Sequence, residues 1–276
     1  MYTVKRYDFR WVAVFLSILF TSFSAQAELI YPDLRVGLNG RSYPIGAQIV
    51  GSAGFAVPLW GSLEQWKYGY ARLALNGGTS AVVNRIGAEA QFFPISILGV
   101  SVGFDSGVRN FVPKFLDCRV YECTGRVDRT YLRTQLFGAV KAFSFNLNFR
   151  TETIQSYASG KPFFDEMTLV RGRPSGETIT TFNPIFLYRL NPSWNVGVIS
   201  LYSTAVDSGG YSHMYGPIAT WSDLKKWSIA GGVGLNESVI VHSGLTLFFS
   251  AQLAIEPSLQ ISDKPFRKRL NNGMGD

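Results

Sequence analysis

The feature that most constrains this chain is a long alternation of polar and apolar side chains on both sides of a turn, over residues 129–157. Arg129, Arg133, Gln135 and Lys141 lie on one face, with the aromatic residues Tyr131 and Phe137 among them, and a turn follows at Lys141–Ser144. After the turn the pattern resumes, as where Phe149 is followed by Arg150. The apolar residues of an amphipathic helix recur at spacings of three and four residues. The spacing of two residues seen here therefore predicts a β-hairpin with one polar and one apolar face.

The length of this hairpin indicates a membrane. Each strand exceeds the five or six residues usual in soluble proteins and the roughly 9–11 residues that cross a bilayer at a tilt. A basic residue facing lipid at mid-membrane costs about 2–4 kcal/mol. A reversed hairpin would place Arg133 and Arg150 in lipid, so its register is strongly set. The hairpin therefore predicts a transmembrane antiparallel β-barrel with a polar interior.

The first 27 residues have the organisation of a secretory signal peptide. A basic segment with Lys5, Arg6 and Arg10 precedes the apolar run Trp11–Phe20, and Ala25-Gln26-Ala27 is a small-x-small cleavage site. The alternative, a retained anchor, is disfavoured because the apolar run is too short. No later segment has 18 uninterrupted apolar residues, so any membrane span must be β.

The basic charge of the chain does not indicate a nucleic-acid partner. Residues 28–276 contain 23 basic and 18 acidic residues, a formal net charge of +5. The basic residues are spread singly, without a basic helix or a nucleic-acid motif. We therefore expect no nucleic-acid binding, and nothing in the sequence predicts a cofactor.

The sequence predicts twelve strands, with ten to fourteen possible, in one barrel domain at residues 28–255. The predicted strands are Asp33–Gly40, Gly46–Val57, Lys67–Asn76, Ser80–Phe93, Leu98–Gly107, Asp128–Lys141, Phe143–Tyr157, Thr178–Leu190, Trp194–Thr204, His213–Ser222, Lys226–Leu235 and Val239–Ile255. Short connections alternate with long ones at residues 108–127, 158–177 and 205–212, as in outer-membrane barrels. The tryptophans beside the short connections predict a periplasmic aromatic girdle of Trp60, Trp66, Trp194, Trp221 and Trp227.

In these respects the chain resembles bacterial outer-membrane β-barrels of the twelve-stranded size class. The resemblance covers residues 33–255, is architectural, and implies a multi-pass protein in the outer membrane of a Gram-negative bacterium, in contact with its lipid. Such barrels usually end in a terminal aromatic strand, whereas here residues 256–276 follow as a basic stretch that we predict to be a flexible periplasmic tail. Known members include solute channels, a phospholipase and autotransporter translocators, so the fold does not choose the function.

The polar parity predicts which side chains line the lumen. The predicted pore-lining residues are Arg72, Arg85, Glu89, Asp105, Arg129, Arg133, Lys141, Arg150 and Glu152. Their positive balance favours anions through the summed field of the wall. The same residues could instead close the lumen with ion pairs between strands, and the sequence leaves both possibilities open.

Two cysteines, Cys118 and Cys123, lie in one long connection and predict a disulfide in an oxidising compartment. A metal site would need two more ligands, and the two histidines are distant in sequence, so no metal is expected. Ser212-His213 and His242-Ser243 are the candidates for catalysis, but adjacent strand residues point to opposite faces. A contact of His213 with Ser203 or Asp207 stays possible, although we expect no enzyme.

The function predicted from these features is a porin-like channel for small polar or anionic solutes. The alternatives are a non-conducting structural or surface-receptor barrel and an outer-membrane lipid-modifying enzyme. At the level of fold, the main rival is a soluble secreted β-sandwich.

Overall fold

A computed structural model of the chain describes residues 30–61, 67–80, 82–110, 117–157, 160–174, 176–223, 226–240 and 242–255. The predicted signal peptide at residues 1–27, the predicted tail at 256–276 and Trp66 lie outside the described residues. Within the described ranges, no helix has the length and apolar composition needed to cross a membrane.

The described residues form fourteen strands. They are β1 (Tyr31–Ser42), β2 (Ile45–Trp60), β3 (Gly69–Ser80), β4 (Val83–Ile95), β5 (Leu98–Arg109), β6 (Gly125–Val140), β7 (Phe143–Ser156), β8 (Phe163–Asp165), β9 (Val170–Gly172), β10 (Glu177–Arg189), β11 (Trp194–Ala205), β12 (Tyr211–Ser222), β13 (Trp227–Ser238) and β14 (Gly244–Ala254). Twelve of them close into one barrel, and β8 and β9 form a separate two-stranded sheet.

The barrel has up-and-down connectivity, since each strand pairs antiparallel with its neighbour in sequence, and β7 pairs with β10 across the small sheet. Strand β1 closes the barrel by pairing with β14, where Arg35 lies opposite Ala254 and Arg41 opposite Phe248. Gly40 has no side chain, and this allows the ring of Phe249 to lie against the β1 backbone. The predicted barrel of twelve antiparallel strands is confirmed, and the β-sandwich alternative is wrong.

The two faces of the barrel wall invert the pattern of a soluble protein. Ile86 and Leu75 point outward and are 68% and 63% exposed, whereas Arg129 points inward and is 0% exposed. Every barrel strand carries exposed apolar residues on its outer face. Large apolar surface of this extent belongs in lipid, and only a closed barrel satisfies the backbone of spanning strands there. The chain is thus an outer-membrane type of barrel.

The two ends of the barrel differ. The long connections lie at one end, here called the long-loop end, and β1 begins and β14 ends at the other, the short-turn end. Trp60, Trp194, Trp221 and Trp227 lie at strand termini of the short-turn end, and Trp194 is directly opposite Trp221. This is where a periplasmic girdle is predicted to lie.

The last barrel strand is shorter than predicted. It begins at Gly244, and not at Val239, because the preceding residues form the connection from β13. His242 is exposed in this connection, and its carbonyl oxygen accepts a hydrogen bond of 3.0 Å from the hydroxyl of Tyr43. His242 therefore lies outside the strand in which the sequence pattern placed it.

Candidate functional site in the barrel lumen

The long connection between β7 and β10 folds across the mouth of the barrel. Its residues 160–174, here called the mouth hairpin, contain the paired strands β8 and β9. Phe163 and Val170 of the hairpin pack with inward-facing residues of the wall, among them Val127, Ile154 and Ile179, and all five are at most 1% exposed. Burial of this apolar cluster anchors the base of the hairpin to the barrel.

A second connection fastens the outer side of the hairpin. Cys118 and Cys123 are joined by a disulfide, and Cys123 packs against Phe164 and Leu169 of the hairpin. The backbone N–H of Glu122 donates to the carbonyl of Pro162 over 2.8 Å. The loop closed by the Cys118–Cys123 disulfide, here called the disulfide loop, therefore packs on the hairpin at the long-loop end.

The tip of the hairpin enters the lumen and meets arginines from the barrel wall. Arg129 on β6 donates to Asp165 at 2.7 Å and to Glu166 at 2.6 Å. Arg109 on β5 donates to Glu166 at 3.2 Å, and Arg41 on β1 donates to the carbonyl oxygen of Glu166 at 2.9 Å. Charge-assisted hydrogen bonds of this kind are the strong ones, so the tip is held by three strands of the wall.

Asp165 stays ionised in this position. Its burial would raise its pKa, but the charge of Arg129 and the hydrogen bonds from Thr168 outweigh burial and lower the pKa to about 2. Thr168 donates to the carboxylate of Asp165 from its backbone N–H at 2.8 Å and from its hydroxyl at 2.6 Å. The turn at the tip therefore depends on a charged Asp165.

Below the hairpin tip lies a polar cavity of about 350 Å³, here called the central cavity. The charged residues that line it are Arg35, Arg85, Arg133, Arg150, Glu89 and Asp105. Uncharged polar side chains from β1, β2, β3 and β14 complete the wall, and Met167 of the hairpin forms its roof. Four arginines against two carboxylates give the cavity a positive potential.

Ion pairs, both within and between strands, hold most of these charges. Glu89 on β4 accepts two hydrogen bonds of 2.8 Å from Arg133 and one of 2.9 Å from the hydroxyl of Tyr131. Arg150 donates to Glu152 at 2.6 Å and lies 3.9 Å from the ring centre of Tyr131. The wall is thus braced across β4, β6 and β7, which fixes the positions of the cavity-lining groups.

An aromatic cluster occupies the lumen beside β2 to β6 at the short-turn end. It consists of Ala56, Tyr68, Tyr70, Phe93 and Phe137. The rings of Tyr70 and Phe93 stack with their centres 4.5 Å apart and their planes 7° apart. Gly99 makes room for the ring of Phe93 against β5. The central cavity is therefore narrowed from both ends.

The structure places eight of the nine predicted pore-lining residues inside the barrel. Five line the central cavity: Arg85, Glu89, Asp105, Arg133 and Arg150. Arg72, Arg129 and Glu152 are buried in ion pairs, as where Arg72 donates to Asp33 at 2.6 Å. Lys141 is misplaced by the sequence pattern, because the turn begins there, with a φ of 53°, and its side chain is exposed.

Several lumen residues were missed by the sequence pattern. Asp165, Glu166 and Met167 lie in a segment that reads as a surface connection, and Arg109 lies beyond the predicted end of its strand. Arg41 likewise falls one residue past the predicted end of β1. A signal for the hairpin was present, since apolar pairs flank the polar turn on both sides.

The predicted catalytic candidates do not assemble. Ser203 lies inside the barrel and is within 3.0 Å of the hydroxyl of Thr181, and Asp207 pairs with Arg173 at 2.7 Å. His213 points outward, where its Nε2 is 2.9 Å from the hydroxyl of Ser200. Among the described residues, no cluster of three or more His, Cys, Asp or Glu side chains could hold a metal ion.

Comparison with known proteins yields structures of the same general shape. No family model and no curated protein matches the chain. The NanC porin is 10% identical, with 80% of this chain and 98% of that chain covered and a TM-score of 0.45. An outer membrane channel from Pseudomonas putida F1 is 8% identical, with 84% and 98% covered and a TM-score of 0.46. The β-domain of the Bordetella autotransporter BrkA is 9% identical, with 83% and 100% covered and a TM-score of 0.44.

Proposed function

We propose that the protein is an outer-membrane channel that passes small polar solutes and prefers anions. The observation that carries the proposal is the lining of the central cavity, where four arginines face two carboxylates. A cavity with low-dielectric walls focuses the field of such groups, which raises the local concentration of anions. Ion selectivity in pores arises from charged side chains placed in this way.

The two constrictions limit the size of the solute. The mouth hairpin covers the lumen at the long-loop end, where its tip contacts the arginines. The aromatic cluster fills the part of the lumen beside β2 to β6 at the short-turn end. The anchors of the hairpin are apolar and fully buried, so the hairpin acts as a fixed constriction. We therefore expect a narrow pathway with low conductance.

Flux into proteoliposomes tests this proposal. Liposomes that contain the refolded protein should take up labelled gluconate faster than labelled glucose, because the two differ in charge more than in size. Protein-free liposomes provide the baseline. Equal rates for both solutes would contradict the anion preference, and rates equal to the baseline would contradict the channel.

A second candidate function is a non-conducting barrel that presents its loops to a partner. The observation that favours it is that the mouth hairpin is held from two sides, by the disulfide loop and by the ion pairs at its tip. This candidate predicts no flux above the baseline for either solute. The same experiment therefore separates the two functions.

A further inference from the structure

We propose that Arg85 is the core of an anion-binding subsite in the central cavity. Its ligand is a solute of monosaccharide size that carries one carboxylate or phosphate and several hydroxyls. The inference deepens the proposed channel and rests on it for its biological role. The binding itself can be tested without any flux.

The hydrogen-bond partner of Arg85 is a thioether and not a carboxylate. Its Nη1 donates to the sulfur of Met167, and a thioether is a weak, uncharged acceptor. Among the described residues, Arg85 forms no ion pair with a carboxylate. The other three arginines of the cavity each have one, since Arg35, Arg133 and Arg150 pair with Asp33, Glu89 and Glu152 respectively.

The two carboxylates of the cavity are committed to other partners. Asp105 lies 3.4 Å from Arg129, and Glu89 accepts hydrogen bonds from Arg133 and Tyr131. The guanidinium of Arg85, without a carboxylate partner, favours the binding of an oxyanion through two parallel N–H donors. The effective dielectric inside the lumen is lower than in water, so the attraction is stronger there.

Buried donors next to this position also lack partners. The Nε of Arg133 and the Nε of Arg150 are buried and have no hydrogen-bond acceptor among the described residues. Both side chains line the same cavity as Arg85. The positive charge of these two side chains adds to the potential that an anion meets in the cavity.

The backbone leaves room for the side chain of Arg85 against the barrel wall. Gly78 lies next to Arg85 on β3, and a Cβ at this position would approach the Nε of Arg85 to 3.0 Å. Gly77 and Gly87 also line the cavity, so part of its wall is backbone rather than side chain. The volume of about 350 Å³ is at the small end of ligand pockets, which span about 300–1,000 Å³.

The rest of the lining suits a hydroxylated ligand. Asn39, Gln48, Asn76, Ser250 and Gln252 surround the cavity on the side of β1 to β3 and β14. Amide and hydroxyl side chains offer both hydrogen-bond donors and acceptors, and the neighbouring hydroxyl groups of a sugar require both. The combination of one unpaired cation and several neutral polar groups favours an acidic sugar over a simple inorganic anion.

Titration calorimetry of the detergent-folded protein tests the subsite, with glucuronate as the probe and glucose as its uncharged counterpart. We expect glucuronate to bind at least about tenfold more tightly than glucose, the scale of one charged hydrogen bond. Arg85→Gln should remove this difference, and Arg85→Lys, which keeps the charge but loses the planar fork, should retain part of it. Equal binding of the two probes by the wild type would overturn the proposal.

Two further variants localise the effect. Arg126→Gln, outside the lumen, is the matched control and should bind glucuronate like the wild type, because Arg126 pairs with Asp128 at the rim. Arg35→Gln should lose less affinity than Arg85→Gln, because the charge of Arg35 is balanced by Asp33. An equal loss from both would overturn the assignment to Arg85. All variants should keep the heat-modifiable gel mobility of a folded barrel.

The outcome is separable from that of the channel. Arg85-dependent binding by a protein that passes no solute would support the subsite and contradict the channel. A conducting protein without Arg85-dependent binding would support the channel and overturn the subsite.

Discussion

Arg129 on β6 and Asp165 at the tip of the mouth hairpin form an ion pair of 2.7 Å in which neither side chain has any exposed surface. The two residues belong to different elements, a membrane-spanning strand and a connection at the mouth. Glu166 reaches the same nitrogen of Arg129 at 2.6 Å. This contact decides the shape of the lumen, because it places the hairpin tip inside the barrel.

Loss of Arg129 should release the tip of the hairpin. Arg129→Met leaves the buried carboxylate of Asp165 without its cation, and removal of one partner of a buried pair costs about 3–5 kcal/mol. Limited proteolysis of the folded barrel should then cleave within residues 160–174. Arg126→Met, which removes an exposed arginine of the same strand, is the control and should leave the hairpin protected. A hairpin equally protected in both variants would show that the apolar anchors alone hold it.

Asp165 should titrate below the normal range of an aspartate. Its pKa is lowered to about 2, so its contribution to docking is present above the unfolded value and is lost only as the pH falls through the folded value. Docking of the tip should therefore not depend on Asp165 protonation at any pH above about 4. Carboxyl-carbon NMR in detergent measures the midpoint directly, with Asp165→Asn identifying the signal. A midpoint at or above the ordinary value, about 3.9, would contradict the ion pair.

The aromatic cluster should narrow the pathway at the short-turn end. Phe93→Ala removes a fully buried ring and should destabilise the barrel by about 3–5 kcal/mol, while it widens the lumen and raises single-channel conductance. Phe92→Ala is the matched control, because the adjacent ring faces outward and is 39% exposed. Urea unfolding followed by gel mobility measures the first effect and planar-bilayer recording the second. Equal conductance in the two variants would mean that the cluster lies outside the pathway.

The barrel itself is predictable from the sequence because each strand carries its own signal. In β6, Arg129 and Arg133 alternate with Leu132 and Leu136, and only one orientation keeps the arginines out of lipid. This local pattern needs no knowledge of distant residues. All twelve barrel strands were predicted, and their ends differ from the structure by a few residues.

The sequence alternates poorly over the four strands β10 to β13, and in β10 and β11 this has a physical cause. Apolar side chains such as Ile179, Ile185, Ile199 and Leu201 point into the lumen on these strands, so both faces are apolar and the period of two is lost. One of them, Ile179, belongs to the core that anchors the mouth hairpin. The alternation is therefore weak because these strands supply apolar side chains to the interior, where the mouth hairpin packs.

The mouth hairpin was missed because its structure depends on residues far away in sequence. Asp165 is 36 residues from Arg129, and Glu166 is 57 residues from Arg109. A polar turn with flanking apolar residues is equally typical of an exposed connection. Only the closed barrel brings the arginines and the turn together, so the candidate site could be predicted on the strands but not at the mouth.

The most direct test of the proposed channel is the reversal potential of single channels in a planar bilayer under a salt gradient. Wild-type protein should show discrete conductance steps and a reversal potential of the sign expected for anion preference. Replacement of Arg85 and Arg150 by glutamine should shift the reversal potential toward zero, the value for a pore without ion selectivity. Chloride should remain permeant in both proteins, because the remaining wall is polar. A cation-leaning reversal potential, or a folded protein without conductance steps, would contradict the account.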